Sequence, residues 1–198
     1  MNSINKDYST IILSAGKSTR MGVPKFSLLY KNQEMFIEHL AREYTDFGSR
    51  QVIIVFNKEG FEFISEHKTQ FADNVKLVLN EYPEYHRFYS LKIATKALDF
   101  PQSVFVHNVD NPFVNQDVLR ALLKYNAQGD YLNPTFEGAG GHPILLSENI
   151  VSAFREAEQD TIHLREFLNQ FKRLRVPVSD ANILVNLNTP EEFEAYFK

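Results

Sequence analysis

The 198 residues, 43% of them hydrophobic, are enough for one sizeable core and short for two, so a single domain over residues 1–198 is expected. A formal net charge of −4 with a pI near 5.9 argues against a general nucleic-acid binder, which needs a basic face, and favours small ligands. The absence of cysteine excludes a disulfide framework, a thiolate nucleophile and a cysteine metal site, and it suits a reducing, cytoplasmic setting. The first ten residues hold no apolar run of the kind a signal peptide needs, and nowhere do 18 apolar residues follow one another. Neither a leader nor a membrane span is therefore expected.

Along the chain, short apolar runs alternate with longer stretches of helical spacing, the pattern of a mostly parallel sheet covered by helices. In chain order, the first strand is expected at Thr10 to Ser14 and a helix at Glu34 to Asp46. A strand at Gln51 to Phe56, a helix at Gly60 to Thr69 and a strand at Val75 to Leu79 follow. The aromatic stretch from Tyr82 to Tyr89 is irregular and reads either as a loop bordering a ligand cleft or as plain surface. A helix from Ser90 to Leu98, capped by Ser90, precedes a strand at Ser103 to His107 and a helix at Gln116 to Asn126. The remainder reads as a short strand at Tyr131 to Leu132, helices at Ser147 to Glu158 and Thr161 to Gln170, and two strands at Arg173 to Val176 and Ile183 to Val185. A last helix runs from Pro190 to Phe197, where Thr189, Pro190, Glu191 and Glu192 supply a cap, a first-turn proline and acids at the positive helix end. No repeat, low-complexity tract or linker interrupts this order.

The segment from Leu13 to Lys25 follows a buried strand and holds two glycines, three cations and no acid, a composition that attracts phosphate. Gly16, Lys17 and Ser18 match the end of a P-loop, but Ile11 stands where its first glycine belongs. Gly22 and Pro24 would also break the helix that should follow the lysine. A dinucleotide-binding fingerprint fails as well, because the two glycines lie six apart with none between them.

The run LSAGKSTRMGVPK instead resembles LAAGxSxRMGxxK, the signature loop of nucleotidyltransferases similar to the molybdopterin cytidylyl- and guanylyltransferases, with Ser14 in place of one alanine. The resemblance implies a three-layer, Rossmann-like α/β fold and a loop that wraps a nucleoside triphosphate. On this likeness Leu13, Ser14, Ala15, Gly16, Lys17, Ser18, Arg20, Met21, Gly22 and Lys25 are expected at the nucleotide, with Arg20 and Lys25 neutralising phosphates. Asn80 and Ser90 resemble the family's asparagine and Ser-Leu segment around the nucleotide.

Asp110 ends an apolar run and is followed by Asn111 and Pro112, which places a carboxylate at the carboxyl end of a strand, where open α/β sheets bind ligands. Taken alone, it reads equally as a turn-forming aspartate before proline. It aligns with the family's GDxP-like turn, which implies that Asp110 holds Mg²⁺ on the triphosphate, although Val109 replaces the usual glycine. A second landmark, a DIDTPED-like segment, aligns with Asn186 to Glu192. Where that pattern has an aspartate, Asn188 offers the metal only a neutral oxygen.

The glycine-rich turn from Gly138 to Pro143 resembles a family turn beside the acceptor, which implies acceptor contacts from Gly141 and His142. The same composition also describes a connection with no ligand. The other histidines show no paired metal-ligand spacing, and no GxSxG elbow marks a serine nucleophile.

The resemblance thus implies a Mg²⁺-dependent nucleotidyltransferase, with catalysis resting on Arg20, Lys25 and Asp110. It would move a nucleoside monophosphate from CTP or GTP to a small phosphorylated acceptor, molybdopterin among the candidates, and release pyrophosphate. The alternatives are a sugar-phosphate or alditol-phosphate nucleotidyltransferase, and a nucleotide-binding protein with weak or no catalysis, the latter motivated by Asn188.

Overall fold

The computed structural model describes residues 8–31 and 33–197, so most of the segment read for a leader lies outside the described residues. Strand β1 (Tyr8–Ser14) is buried at every position, as its apolar run demands of a strand covered on both faces. An antiparallel pair, β2 (Leu29–Tyr30) and β3 (Glu34–Met35), leads into helix α1 (Phe36–Phe47). Then come β4 (Val52–Phe56), α2 (Lys58–Glu66), β5 (Val75–Leu79), α3 (His86–Ala97), β6 (Ser103–Asn108) and α4 (Gln116–Lys124). The C-terminal part contains β7 (Tyr131–Phe136), β8 (Ala139–Gly140), β9 (Ile144–Leu146), α5 (Glu148–Glu156), α6 (Leu164–Leu168), β10 (Arg173–Pro177) and α7 (Pro190–Phe197).

Eight of these strands form one sheet in the order β10-β7-β9-β6-β1-β4-β5, with β8 paired to β7. β6, β1, β4 and β5 run parallel, and β9 lies antiparallel between β6 and β7. Alternate side chains divide the core between the two faces. Ile12, Ile54, Phe56 and Phe105 pack with α1, α2 and α4, whereas Ile11, Leu13, Ile53, Val55 and Val106 pack with α3, α5 and α6. On α1, Phe36, Ile37, Leu40, Ala41 and Tyr44 fall on one helical stripe, and burying each large member contributes about 1.5–3 kcal/mol. The layers are helices, sheet and helices, as expected for the fold class.

From β1 the chain moves outward through β4 to β5, then returns so that β6 lies on the other side of β1. The chain beyond β6 moves the opposite way, so the carboxyl ends of β1 and β6 flank a topological switch point, where such sheets bind ligands. The loop after β1 and the turn after β6 are therefore brought together by strand order, although they lie about 90 residues apart in sequence.

The structure corrects several elements. Ile183 to Val185 is not a strand: Ala181–Leu184 is a 3-10 turn whose Asn182 amide donates to the Asp180 carboxylate, and β10 already takes the place beside β7. Ser90 is not an N-cap, because α3 starts four residues earlier at His86 and the Ser90 hydroxyl donates within the helix to the His86 carbonyl. Ser147 occupies the N-cap position of α5, but its hydroxyl makes no capping bond. Thr189 and Glu192 do form the reciprocal start of α7, with the Glu192 carboxylate accepting from the Thr189 amide and the Glu192 amide donating to the Thr189 hydroxyl.

Candidate active site

A cavity of about 500 Å³ opens at the switch point. Its walls are the β1 loop (Leu13, Ala15, Gly16, Lys17, Ser18 and Lys25), the start of α3 (Pro83, Glu84, His86, Arg87 and Ser90) and the end of β6 (Asn108, Val109 and Asp110). The β1 loop is shaped locally before any ligand arrives. Ser18 adopts φ 50 and its carbonyl accepts from the Met21 and Gly22 amides. Gly22 takes φ 78, a conformation that costs glycine little. The Ser18 hydroxyl accepts from the Lys25 amide, and the Met21 and Phe26 side chains are buried anchors. Met21 thus serves the core rather than the cavity, while the backbone around Gly16 lies open.

Lys25 is the hub of the charged groups. Its Nζ donates to Asn188 Oδ1 at 2.7 Å and lies 3.6 Å from Asp110 Oδ2. Arg20 Nη2 donates to the same Asn188 oxygen at 3.0 Å. Burial lowers the Lys25 pKa, and the neighbouring Asp110 carboxylate opposes that shift. Asp110 Oδ1 is buried with no hydrogen-bond partner, an unsatisfied anionic oxygen in a site otherwise rich in donors. Asn188 is fixed from its own chain: its amide N–H donates to Glu192 Oε2 at 2.6 Å and its Nδ2 to the Asn186 carbonyl at 3.0 Å.

The Asp110 turn is held rigidly from behind. The neutral His107 ring donates from Nε2 to the Asn111 carbonyl at 2.7 Å and accepts at Nδ1 from the Tyr44 hydroxyl at 2.7 Å. Asn111, wholly buried, donates to the Asn182 carbonyl and accepts from the Phe113 amide. Burial presses the His107 pKa down to about 3, so this histidine is a neutral structural link, in keeping with its unpaired position in the sequence.

Other predicted site residues stand further back. Asn80 is buried beneath the cavity, donating to Ser90 Oγ at 2.9 Å and accepting from the Tyr82 amide at 2.8 Å, so it shapes the α3 approach without lining the cavity. His142 Nε2 accepts from Asn108 Nδ2 at 3.0 Å. Its Nδ1 is buried without a partner, and burial lowers its pKa while Asp110 acts the other way. Gly141 is required by packing: a Cβ there would lie 2.2 Å from the Ile183 carbonyl oxygen.

Sequence reasoning assigned no site role to Glu84, His86 or Arg87. The irregular aromatic stretch was the available signal, since its cleft-border reading matches where Pro83, Glu84, His86 and Arg87 lie. His86 has φ 61 and ψ −159, a region costly for a residue with a side chain, by about 1–3 kcal/mol. His86 and Arg87 also border a second cavity of about 610 Å³, completed by Tyr131, Thr161, Ile162, His163, Leu164, Arg165 and Leu168. Two arginines, two histidines and no acid line it, together with apolar surface; neither Gly141 nor His142 does.

The metal expectation meets a small donor set. Among the described residues no cluster of three or more His, Cys, Asp or Glu side chains could enclose an ion. The unpartnered Asp110 Oδ1 is a hard oxygen donor that fits a divalent ion completing its shell with water and phosphate, whereas the Asn188 side-chain oxygen already accepts from Lys25 and Arg20 and would have to be released by them to join it. No helix among the described residues is long and apolar enough to cross a membrane.

The chain is 25% identical over 199 residues to a molybdenum cofactor guanylyltransferase of Campylobacter jejuni, covering 96% of this chain and 95% of the relative. It is 27% identical over 126 residues to a 2-C-methyl-D-erythritol 4-phosphate cytidylyltransferase of Fusobacterium nucleatum, a match covering 61% of this chain and 53% of that relative. In fold it is similar to a manganese complex of Rv0371c from Mycobacterium tuberculosis, with a TM-score of 0.75, 15% identity and coverage of 96% and 98% of the two chains. The MobA-like NTP transferase domain matches residues 10–176, from β1 through β10, and the chain belongs to that family.

Proposed function

We propose that the protein transfers a nucleoside monophosphate from GTP or CTP to a small phosphorylated acceptor, with Mg²⁺ as the divalent ion. The observation that carries this reading is that Lys25 and Asp110, from distant segments, line one cavity together, with Asn188 bonded to Lys25 from a third segment. GTP is the first donor to test, because the alignment with the guanylyltransferase runs almost end to end on both chains.

In this reading the amides of the β1 loop, with Lys25 and Arg20, bind the triphosphate and neutralise its charge. Asp110 would hold the divalent ion, joined by Asn188 once the phosphates draw Lys25 and Arg20 off its oxygen, and the ion would supply further charge neutralisation on the phosphates. The acceptor occupies the second cavity, its phosphate directed by Arg87 and Arg165 and its body against Tyr131, Ile162 and Leu164. His142 then acts from behind Asn108, steadying the end of β6, rather than touching the acceptor. An oxygen of the acceptor phosphate attacks the α-phosphorus; the bond from that phosphorus to the β-phosphate oxygen breaks, and pyrophosphate leaves with the electron pair. Positioning and charge neutralisation are enough for this displacement, so no covalent enzyme intermediate is required.

Thermal shifts with GTP, CTP, ATP and UTP, with and without Mg²⁺, test the reading. A selective stabilisation that Lys25→Ala and Asp110→Ala remove in Mg²⁺ is expected. If no nucleotide stabilises the protein at about millimolar concentration, where a donor substrate should be well bound, the proposal fails.

A further inference from the structure

Lys92 lies on α3 facing away from the nucleotide cavity, and its side chain is only 6% exposed. Its ammonium donates to Asp160 Oδ1 at 2.6 Å, to the Gln159 carbonyl at 3.2 Å and to the Glu158 carbonyl at 3.4 Å. All three acceptors belong to the segment joining α5 to α6, which has no regular structure between Ala157 and His163. The residues that follow at once, Thr161, Ile162 and His163, form one wall of the second cavity. His86 and Arg87, at the start of the helix that carries Lys92, line the same cavity.

An ammonium has three donors, and here each meets an acceptor on one short segment. A buried lysine is kept only where its charge and protons are satisfied, and removing it would strand two carbonyls and a carboxylate in a partly buried place. A segment without a ladder of its own backbone bonds would otherwise open at low cost. We infer that Lys92 is a positioning residue, a clamp that fixes residues 158–160 to α3 and so builds the His163 wall of the second cavity. That this wall serves an acceptor rests on the functional reading above; the clamp itself does not. Lys92 lines neither cavity, and residues 161–163 beyond the segment it holds line only the second, so its effect should fall on the second and spare the first.

The test compares the full-length wild type with Lys92→Met and with Asp160→Ala, which removes only the anionic tether. Amide hydrogen exchange is followed over residues 157–163, inorganic phosphate binding is followed by the His163 imidazole NMR signals, and Mg²⁺–GTP binding by thermal shift. Lys92→Met should speed exchange in the segment by about tenfold or more. It should also weaken phosphate binding by about tenfold while the stabilisation by Mg²⁺–GTP stays as in wild type. Asp160→Ala should shift exchange in the same direction by less, and it decides the matter alone if Lys92→Met does not fold. Unchanged exchange in the segment, or a loss of nucleotide binding in step with it, would overturn the clamp. If phosphate moves no His163 signal even in wild type while Lys92→Met still loosens the segment, the clamp stands and the acceptor assignment falls.

Discussion

Replacing Asn188 by aspartate separates two roles that one oxygen could play. Asn188 Oδ1 accepts from Lys25 at 2.7 Å and from Arg20 at 3.0 Å, so a carboxylate there would place a full charge against both phosphate-binding cations. At 3 Å, Coulomb's law gives about 1.4 kcal/mol per pair in water and about 5.5 kcal/mol at an effective dielectric of 20. Arg20 is exposed and its share is screened, so a net gain of about 1 kcal/mol per cation is the reasonable figure. A triphosphate must displace that gain to reach the same cations. In EDTA, Asn188→Asp should therefore weaken GTP and CTP binding by about ten- to thirty-fold, as read by isothermal titration calorimetry. In Mg²⁺ the added carboxylate becomes a second anionic ligand, so the affinity should recover and depend more steeply on the metal. Metal-free affinity that is unchanged or tighter in the variant would refute the view that Asn188 holds the cations in readiness for phosphate.

Asp110→Asn should act in the opposite sense in EDTA. Losing the carboxylate near Lys25 frees that cation, so metal-free nucleotide binding tightens by a few fold while the Mg²⁺-dependent part disappears; calorimetry with and without EDTA reads both. His107 gives a pH signature. Its folded pKa of about 3 lies below the unfolded value of about 6.5, so its neutral form supports the fold fully above pH 6.5 and that support is lost as pH falls through 6.5 toward 3. Between pH 7 and 5 this group should remove about 2 kcal/mol of stability in urea titrations, and His107→Gln should flatten that part; equal pH dependence in both proteins would contradict it. Gly141→Ala should cost about 1–3 kcal/mol, because the new Cβ meets the Ile183 backbone rather than a movable side chain; a change below about 0.5 kcal/mol in the same titration would show that the turn yields freely.

Local chemistry alone determined much of this protein. The apolar runs of β1, β4 and β6 read as buried parallel strands because each must be covered on both faces. The β1 loop read as a phosphate binder because glycines and cations occur there without an acid, and the start of α7 was legible because capping depends on residues three apart. Tertiary structure decided what depends on partners distant in sequence. Ile183 looks like a strand residue, but β10 takes the place beside β7 and Asp180 caps a 3-10 turn there instead, and Ser90 looks like a cap until the preceding turn starts the helix earlier. No local pattern could show that Asn188 meets Lys25 and Arg20 across more than 160 residues, that Asp110 carries an unpaired oxygen, or that Lys92 reaches across to residues 158–160. Those contacts arise only when strand order folds remote segments onto one end of the sheet, and there the charges acquire the partners that set their roles.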